Sequence, residues 1–263
     1  MLLSFSEIIN NLKQYCDRDW LIGYDRQLFW QLTHESLTQI LEIKQKRSPL
    51  PVILITEANP GKFLAFFLAS VTAKTQVFLG NPHWKQQEWQ QVFTLVKPDL
   101  ILGEDYLGLT PNERISKNDS YLLPQNSFIM IPTGGSSGKI RFAIHTWSSL
   151  TASVSGFCNY FSTNTVNSFC ILPLYHVSGL MQFMRSFLTS GKLAIIPYSE
   201  LKQGKLFKVD RAVFFFSLVR THLHFLFLSH PIWLSNFHTF LFGGAPPWQS
   251  LFDKGRQFML PFA

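Results

Sequence analysis

Apolar residues recur at helical spacing in two N-terminal stretches, Phe5–Cys16 and Arg26–Lys46. In the first they are Phe5, Ile8, Ile9 and Leu12, and in the second Leu28, Phe29, Leu32, Leu37, Ile40 and Leu41. This spacing gathers apolar side chains on one helical face, so both stretches are expected to be packing helices. Beyond them the period changes. Short runs rich in β-branched and aromatic residues alternate with helical patterns: PVILIT, a helix begun by Pro60, TQVFLG, a helix over Trp84–Val96, and DLILG. The alternation resumes after a loop at Glu104–Gln125. There SFIMIP, a Gly/Ser loop and KIRFAIHTW precede a helix over Ser148–Phe161, then SFCILP, a helix near Val177–Thr189 and KLAIIP. AVFFFSL, a helix over Val219–Leu228, TFLFGG, a helix over Pro247–Arg256 and QFMLPF complete the chain. The repetition predicts an α/β fold of mostly parallel sheets flanked by helices, with ligands at the carboxyl ends of strands. Neither an internal repeat nor a low-complexity tract interrupts it.

At 263 residues the chain is long enough for one large domain or two smaller ones. With 46% hydrophobic residues, 15% charged residues and 26 phenylalanines, it has the composition of a packed protein with an aromatic-rich core, not of a disordered chain. The longest apolar runs are Phe63–Ala73, ended by Lys74, and Ala212–Leu228, interrupted by Arg220, His222 and His224; no membrane span is expected. The N-terminus lacks a basic segment and a small-residue cleavage site, as expected for a mature, non-secreted chain. Cys16, Cys158 and Cys170 are odd in number, far apart and without CxxC spacing, which fits reduced thiols in the cytoplasm. The net charge of +7 suits an anionic ligand. Because only KQKR at Lys44–Arg47 clusters the basic residues, nucleic acid is not an expected partner.

The Gly/Ser loop lies in IPTGGSSGKIRFAIHTW, from Ile131 to Trp147. Its glycines let the backbone close around a polyanion, and its N–H groups and hydroxyls favour phosphate; the plain alternative is a flexible turn. A Walker A loop is excluded, since Gly134 and Gly138 enclose only three residues and Ile140 follows Lys139 where a hydroxyl is required. Gly134-Gly135-Ser136-Ser137-Gly138 satisfies GxSxG, but a nucleophile elbow leads into a helix and KIRFAIHTW reads as a strand. GGSSG also matches the serine pair of amidase-signature hydrolases without their following Gly/Ala-rich helix. A serine hydrolase or amidase is the alternative reading.

Three ordered segments resemble the adenylate-forming acyl-CoA synthetases. Thr133-Gly134-Gly135-Ser136-Ser137-Gly138 is similar to the start of their phosphate loop, [ST]SGTTGxPKG, with Ile140 and Arg141 where the family usually has proline and lysine. LPLYHVSGL, Leu172–Leu180, looks like their PLxHxxG, and FGGAP, Phe242–Pro246, like their adenine-binding GGAP. PLYHVSG followed by Arg185, nine residues after His176, is similar to o-succinylbenzoate–CoA ligases of menaquinone and phylloquinone synthesis, where an arginine at this place pairs with the substrate carboxylate. SLVRTHL, Ser217–Leu223, resembles their SLVPTQL, with Arg220 for proline and His222 for glutamine.

The resemblance implies a cytoplasmic, AMP-forming acid–thiol ligase that uses ATP, Mg2+ and CoA and acts on small molecules. Thr133, Gly134, Gly135, Ser136, Ser137, Gly138 and Arg141 would bind the ATP phosphates. Gly243, Gly244, Ala245 and Pro246 would bind adenine, and His176, the candidate catalytic residue, would line the acyl pocket with Arg185. It covers the chain from about Val52 to Pro261-Phe262-Ala263, where a family member continues with YGxTE, whose glutamate holds magnesium, and with a mobile C-terminal domain carrying the adenylation lysine. Residues 1–263 are therefore expected to be an incomplete N-terminal AMP-binding domain, truncated at its C-terminus and inactive alone, with a non-catalytic nucleotide-binding remnant as a further alternative. Neither the metal ligands nor the oligomeric state is legible. His222, His224, His230 and His238 lack a Cys or carboxylate at ligand spacing and are expected to be structural. For Arg185, inside the apolar helix LMQFMRSFL, snorkelling to solvent competes with an anion.

Overall fold

The computed structural model describes residues 18–46, 50–103, 126–133 and 138–244, together with Asp253, Gly255 and residues 260–262. The expected helix at Phe5–Cys16 lies outside the described residues, as do most of Pro247–Arg256 and of QFMLPF. The chain divides into two compact units, one containing Tyr24–Leu150 and the other Asp17–Gly23 with Thr151–Ala263. The first is called here the hairpin unit and the second the discontinuous unit, because its short strand β1 (Leu21–Ile22) is separated in sequence from everything it pairs with.

The hairpin unit opens with α1 (Arg26–Gln45), whose N-terminus is closed by Asp25, its side chain accepting from the Leu28 N–H at 3.0 Å. β2 (Val52–Ile55) follows, then α2 (Pro60–Thr72), begun by an Asn59 cap and Pro60 at its first turn. Next come β3 (Gln76–Leu79), α3 (Gln86–Leu95), β4 (Leu100–Leu102), β5 (Ile129–Thr133) and β6 (Arg141–His145). The sheet order is β4-β2-β3-β5-β6, parallel except for the antiparallel β5–β6 hairpin. β3 is buried throughout, as expected of a central strand covered on both faces. On one side α3 presents Trp89, Val92 and Phe93 to Leu54, Phe78 and Met130, with Ile140 and Phe142 of the hairpin packed against the same cluster.

Helix α4 (Trp147–Tyr160) contains the division between the units. Beyond it the discontinuous unit runs β7 (Asn167–Cys170), α5 (Val177–Leu188), β8 (Leu193–Ile195), α6 (Tyr198–Lys202), β9 (Phe214–Leu218), α7 (Arg220–Ser229), α8 (Pro231–Leu234) and β10 (Thr239–Phe242). Its sheet order is β1-β8-β7-β9-β10, parallel throughout. Phenylalanines fill its core: Phe169 meets the rings of Phe216 at 5.0 Å, Phe237 at 5.3 Å and Trp233 at 5.4 Å. The expected α/β architecture of mostly parallel sheets is therefore present, and helix limits fall within a few residues of the sequence pattern.

Candidate functional site

In the hairpin unit, β5 and β6 pair up to Thr133↔Arg141, so these two residues close the loop that the sequence singles out. The Thr133 hydroxyl donates to the Arg141 carbonyl at 3.3 Å. Gly134, Gly135, Ser136 and Ser137 lie outside the described residues. The exit limb is described: Gly138 has φ +68°, a left-handed conformation that glycine accommodates without strain, and Gly138, Lys139 and Arg141 are exposed. The chain then enters a strand. A nucleophile elbow would feed a helix, so the observed hairpin does not have the geometry of an elbow.

One side chain that the sequence did not flag touches this limb. Gln91 of α3 donates from Nε2 to the Gly138 carbonyl at 3.3 Å and accepts at Oε1 from the Ile140 N–H at 3.1 Å. A glutamine on the polar side of an amphipathic helix reads as a solvated residue, and no local signal announces a partner so distant in sequence.

In the discontinuous unit the carboxyl ends of parallel strands share one edge, and two sequence candidates follow directly from them. The chain leaving β7 turns through Leu172–Tyr175 and starts α5 with His176 at the N-cap, in extended conformation (φ −99°, ψ 148°). The half-buried imidazole lies against Tyr175, with ring centroids 4.7 Å apart, and burial lowers its pKa, favouring the neutral ring. Gly179 explains part of the motif physically. A Cβ there would sit 2.2 Å from the Pro173 carbonyl oxygen, so only glycine lets the first turn of α5 approach the preceding turn. At the end of β10, Gly243 donates its N–H to the Leu218 carbonyl at 3.2 Å and Gly244 adopts φ +90°. Ala245 and Pro246 lie outside the described residues.

Arg185 stands on α5 nine residues beyond His176, which separates the two by roughly 13 Å along the helix axis at ~1.5 Å per residue. They do not form one cluster. The Arg185 guanidinium lies over the Phe157 ring of α4 at 4.0 Å, and its buried Nε has no hydrogen-bond partner among the described residues. Burial lowers its pKa to about 10, opposed by nearby Cys158, so it remains a cation at neutral pH. The group lies against an aromatic ring, and the residue as a whole keeps partial exposure. One turn back, the buried Gln182 donates from Nε2 to the Ser178 carbonyl at 3.2 Å, while its Oε1 has no partner among the described residues.

Among the described residues no three His, Cys, Asp or Glu side chains come together to hold a metal. His222 is buried, with its ring centroid 4.2 Å from that of Tyr198. No helix among the described residues is long and apolar enough to cross a membrane.

No curated protein sequence matches the chain. Among solved structures, it is similar to the o-succinylbenzoate coenzyme A synthetase (MenE) of Bacillus subtilis in complex with AMP, at 17% identity and a TM-score of 0.70, over 95% of this chain and 71% of that one. The same enzyme with the acyl-adenylate intermediate OSB-AMP matches at 16% identity and a TM-score of 0.73, over 96% of this chain and 72% of that one. The N-terminal domain of FACL13 from Mycobacterium tuberculosis, with an inhibitor bound, matches at 13% identity and a TM-score of 0.73, over all of this chain (100%) and 75% of that one. At such identities the likeness is one of fold, that of the N-terminal domain of adenylate-forming enzymes. The sequence itself matches the family described as AMP-binding enzyme over residues 35–261, most of its length, and the chain belongs to that family.

Proposed function

We propose that the chain serves an ATP-dependent acyl-CoA ligase whose acyl substrate is o-succinylbenzoate. In this reaction a substrate carboxylate oxygen attacks the α-phosphorus of ATP, forming an acyl-adenylate and releasing pyrophosphate. The thiol of CoA then attacks the acyl carbonyl, and AMP leaves. Thr133, the Gly134–Gly138 loop and Arg141 hold the β- and γ-phosphates, Gly243, Gly244, Ala245 and Pro246 line the adenine, and His176 and Arg185 face the acyl substrate. Catalysis of this kind rests on positioning and charge neutralisation more than on covalent help from the protein.

The observation that carries the choice of substrate is Arg185. A half-buried guanidinium whose Nε has no partner among the described residues, with a ring beneath it, is suited to an anion, because a carboxylate would restore the interactions lost on leaving water. A dicarboxylate has one acid group to react and a second to be held, and o-succinylbenzoate is such a molecule. AMP and OSB-AMP are bound by the similar synthetase structures, which supports the same class of ligand here.

Calorimetric titration of the chain with ATP and with o-succinylbenzoate tests this reading. Arg185→Ala is expected to weaken o-succinylbenzoate by about 2–5 kcal/mol and leave ATP binding unchanged, because the phosphates are held elsewhere. A defect confined to ATP, or none, would remove the substrate assignment. Labelling of Ser136 or Ser137 by a fluorophosphonate would replace the ligase with the hydrolase.

A further inference from the structure

We infer that Gln91 is a positioning residue for ATP, holding the exit limb of the phosphate loop in its binding shape; the inference rests on the reading of this hairpin as the phosphate site. Regular pairing of β6 with β5 stops at Thr133↔Arg141. Just beyond that pair, Gln91 takes over as the partner of the limb, bonding the Gly138 carbonyl at 3.3 Å and the Ile140 N–H at 3.1 Å. The two bonds fix the orientation of the amide, since a carbonyl only accepts and a backbone N–H only donates; the flipped amide would break both. A single side chain thus continues the strand ladder by one step.

The anchor behind it is firm. Trp89 and Val92, flanking Gln91 on α3, are fully buried, and Ile140 packs against the same cluster. The start of α3 is tied by the Lys85 N–H donating to the Glu88 carboxylate at 2.7 Å. Gln91 therefore links a rigid helix to the limb carrying Gly138, Lys139 and Arg141, whose exposed cations and backbone would meet a polyphosphate. Without the clamp, fewer molecules present the limb in its binding shape, and apparent affinity falls by that fraction.

The test compares wild type with Gln91→Met, which keeps length and loses both bonds, and Gln91→Glu, which keeps the acceptor for Ile140 and loses the donor to Gly138. Calorimetry with ATP and with inorganic pyrophosphate is expected to show about tenfold weaker binding of each by both variants. Binding of o-succinylbenzoate should not change, and the Ile140 amide should exchange with solvent faster in Gln91→Met. Wild-type affinity for both phosphates in the two variants would overturn the inference while leaving the phosphate site standing. Parallel loss of o-succinylbenzoate binding would also overturn it, as the mark of general damage. If wild type binds neither ATP nor pyrophosphate, the phosphate-site reading fails and the inference falls with it.

Discussion

The two units offer their ligand-facing groups in opposite ways. In the hairpin unit they are backbone and exposed cations at the mouth of a loop, with Gly138, Lys139 and Arg141 in contact with solvent. In the discontinuous unit they are half-buried side chains: Arg185 against Phe157, His176 against Tyr175, each with its pKa lowered by burial. The difference follows the charge of the proposed guests. A polyphosphate carries enough charge to bind at an exposed surface through many N–H groups. A single carboxylate gains little from an exposed arginine, because water and salt screen the pair, and more from one that is desolvated and held. Phe157 of α4 supplies that holding, on a unit whose stability comes from its separate aromatic core.

The largest expected effect therefore lies in that core. Phe169 is fully buried among Phe216, Trp233 and Phe237. Phe169→Ala should cost about 3–5 kcal/mol through lost burial and an unfilled cavity. Urea unfolding gives the magnitude, and hydrogen exchange gives the location: the amides of β7, β9 and β10 should lose protection more than those of β2 and β3. Equal losses in both sheets would break the contrast between the units.

A smaller effect separates the two glycine motifs of the discontinuous unit. Gly179→Ala places its Cβ 2.2 Å from a backbone oxygen and 2.6 Å from the carbonyl carbon of Pro173, so α5 must shift, at a cost of about 2–4 kcal/mol. At Gly243 nothing among the described residues lies within 4 Å of the added methyl, and alanine there should change stability by less than about 0.5 kcal/mol. Thermal melts of the two variants measure this directly. Similar melting points would mean that the motif glycine of PLYHVSG is not held by packing.

Much of the fold was legible because strand–helix alternation is a local signal. Pro60 and Asn59 mark the start of α2, and PVILIT, TQVFLG and AVFFFSL each contain a strand. What escaped notice was either short or non-local. β1 has two residues and exists only through its pairing with Leu193 and Ala194 across most of the chain. α6 and α8 are one-turn helices, and the 3-10 turn Arg211–Val213 is set by Asp210 accepting from the Ala212 N–H at 3.2 Å. The same divide runs through the site. His176 and Arg185 stood out by spacing and by charge in an apolar run, whereas Phe157 beneath Arg185 and Gln91 against Gly138 are contacts that only the fold creates.

His222 yields the mildest prediction and sharpens the contrast from another side. It is buried on α7, and its Nδ1 has no partner among the described residues. Burial, with a smaller contribution from Lys202, lowers its pKa to about 4, whereas an unfolded histidine titrates near 6.5. Between these values the unfolded chain binds the proton and the folded chain does not. The contribution of neutral His222 to stability is therefore complete above about pH 6.5, declines as pH falls toward about 4, and changes no further below that. His222→Gln removes this titration while keeping a polar side chain. Urea midpoints measured at pH 7.5 and pH 5 should fall less steeply with acid for the variant than for wild type, the other histidines cancelling in the comparison. Parallel acid profiles would mean that the imidazole reaches solvent or a partner when charged, and that burial at α7 does not keep this ionisable side chain from water.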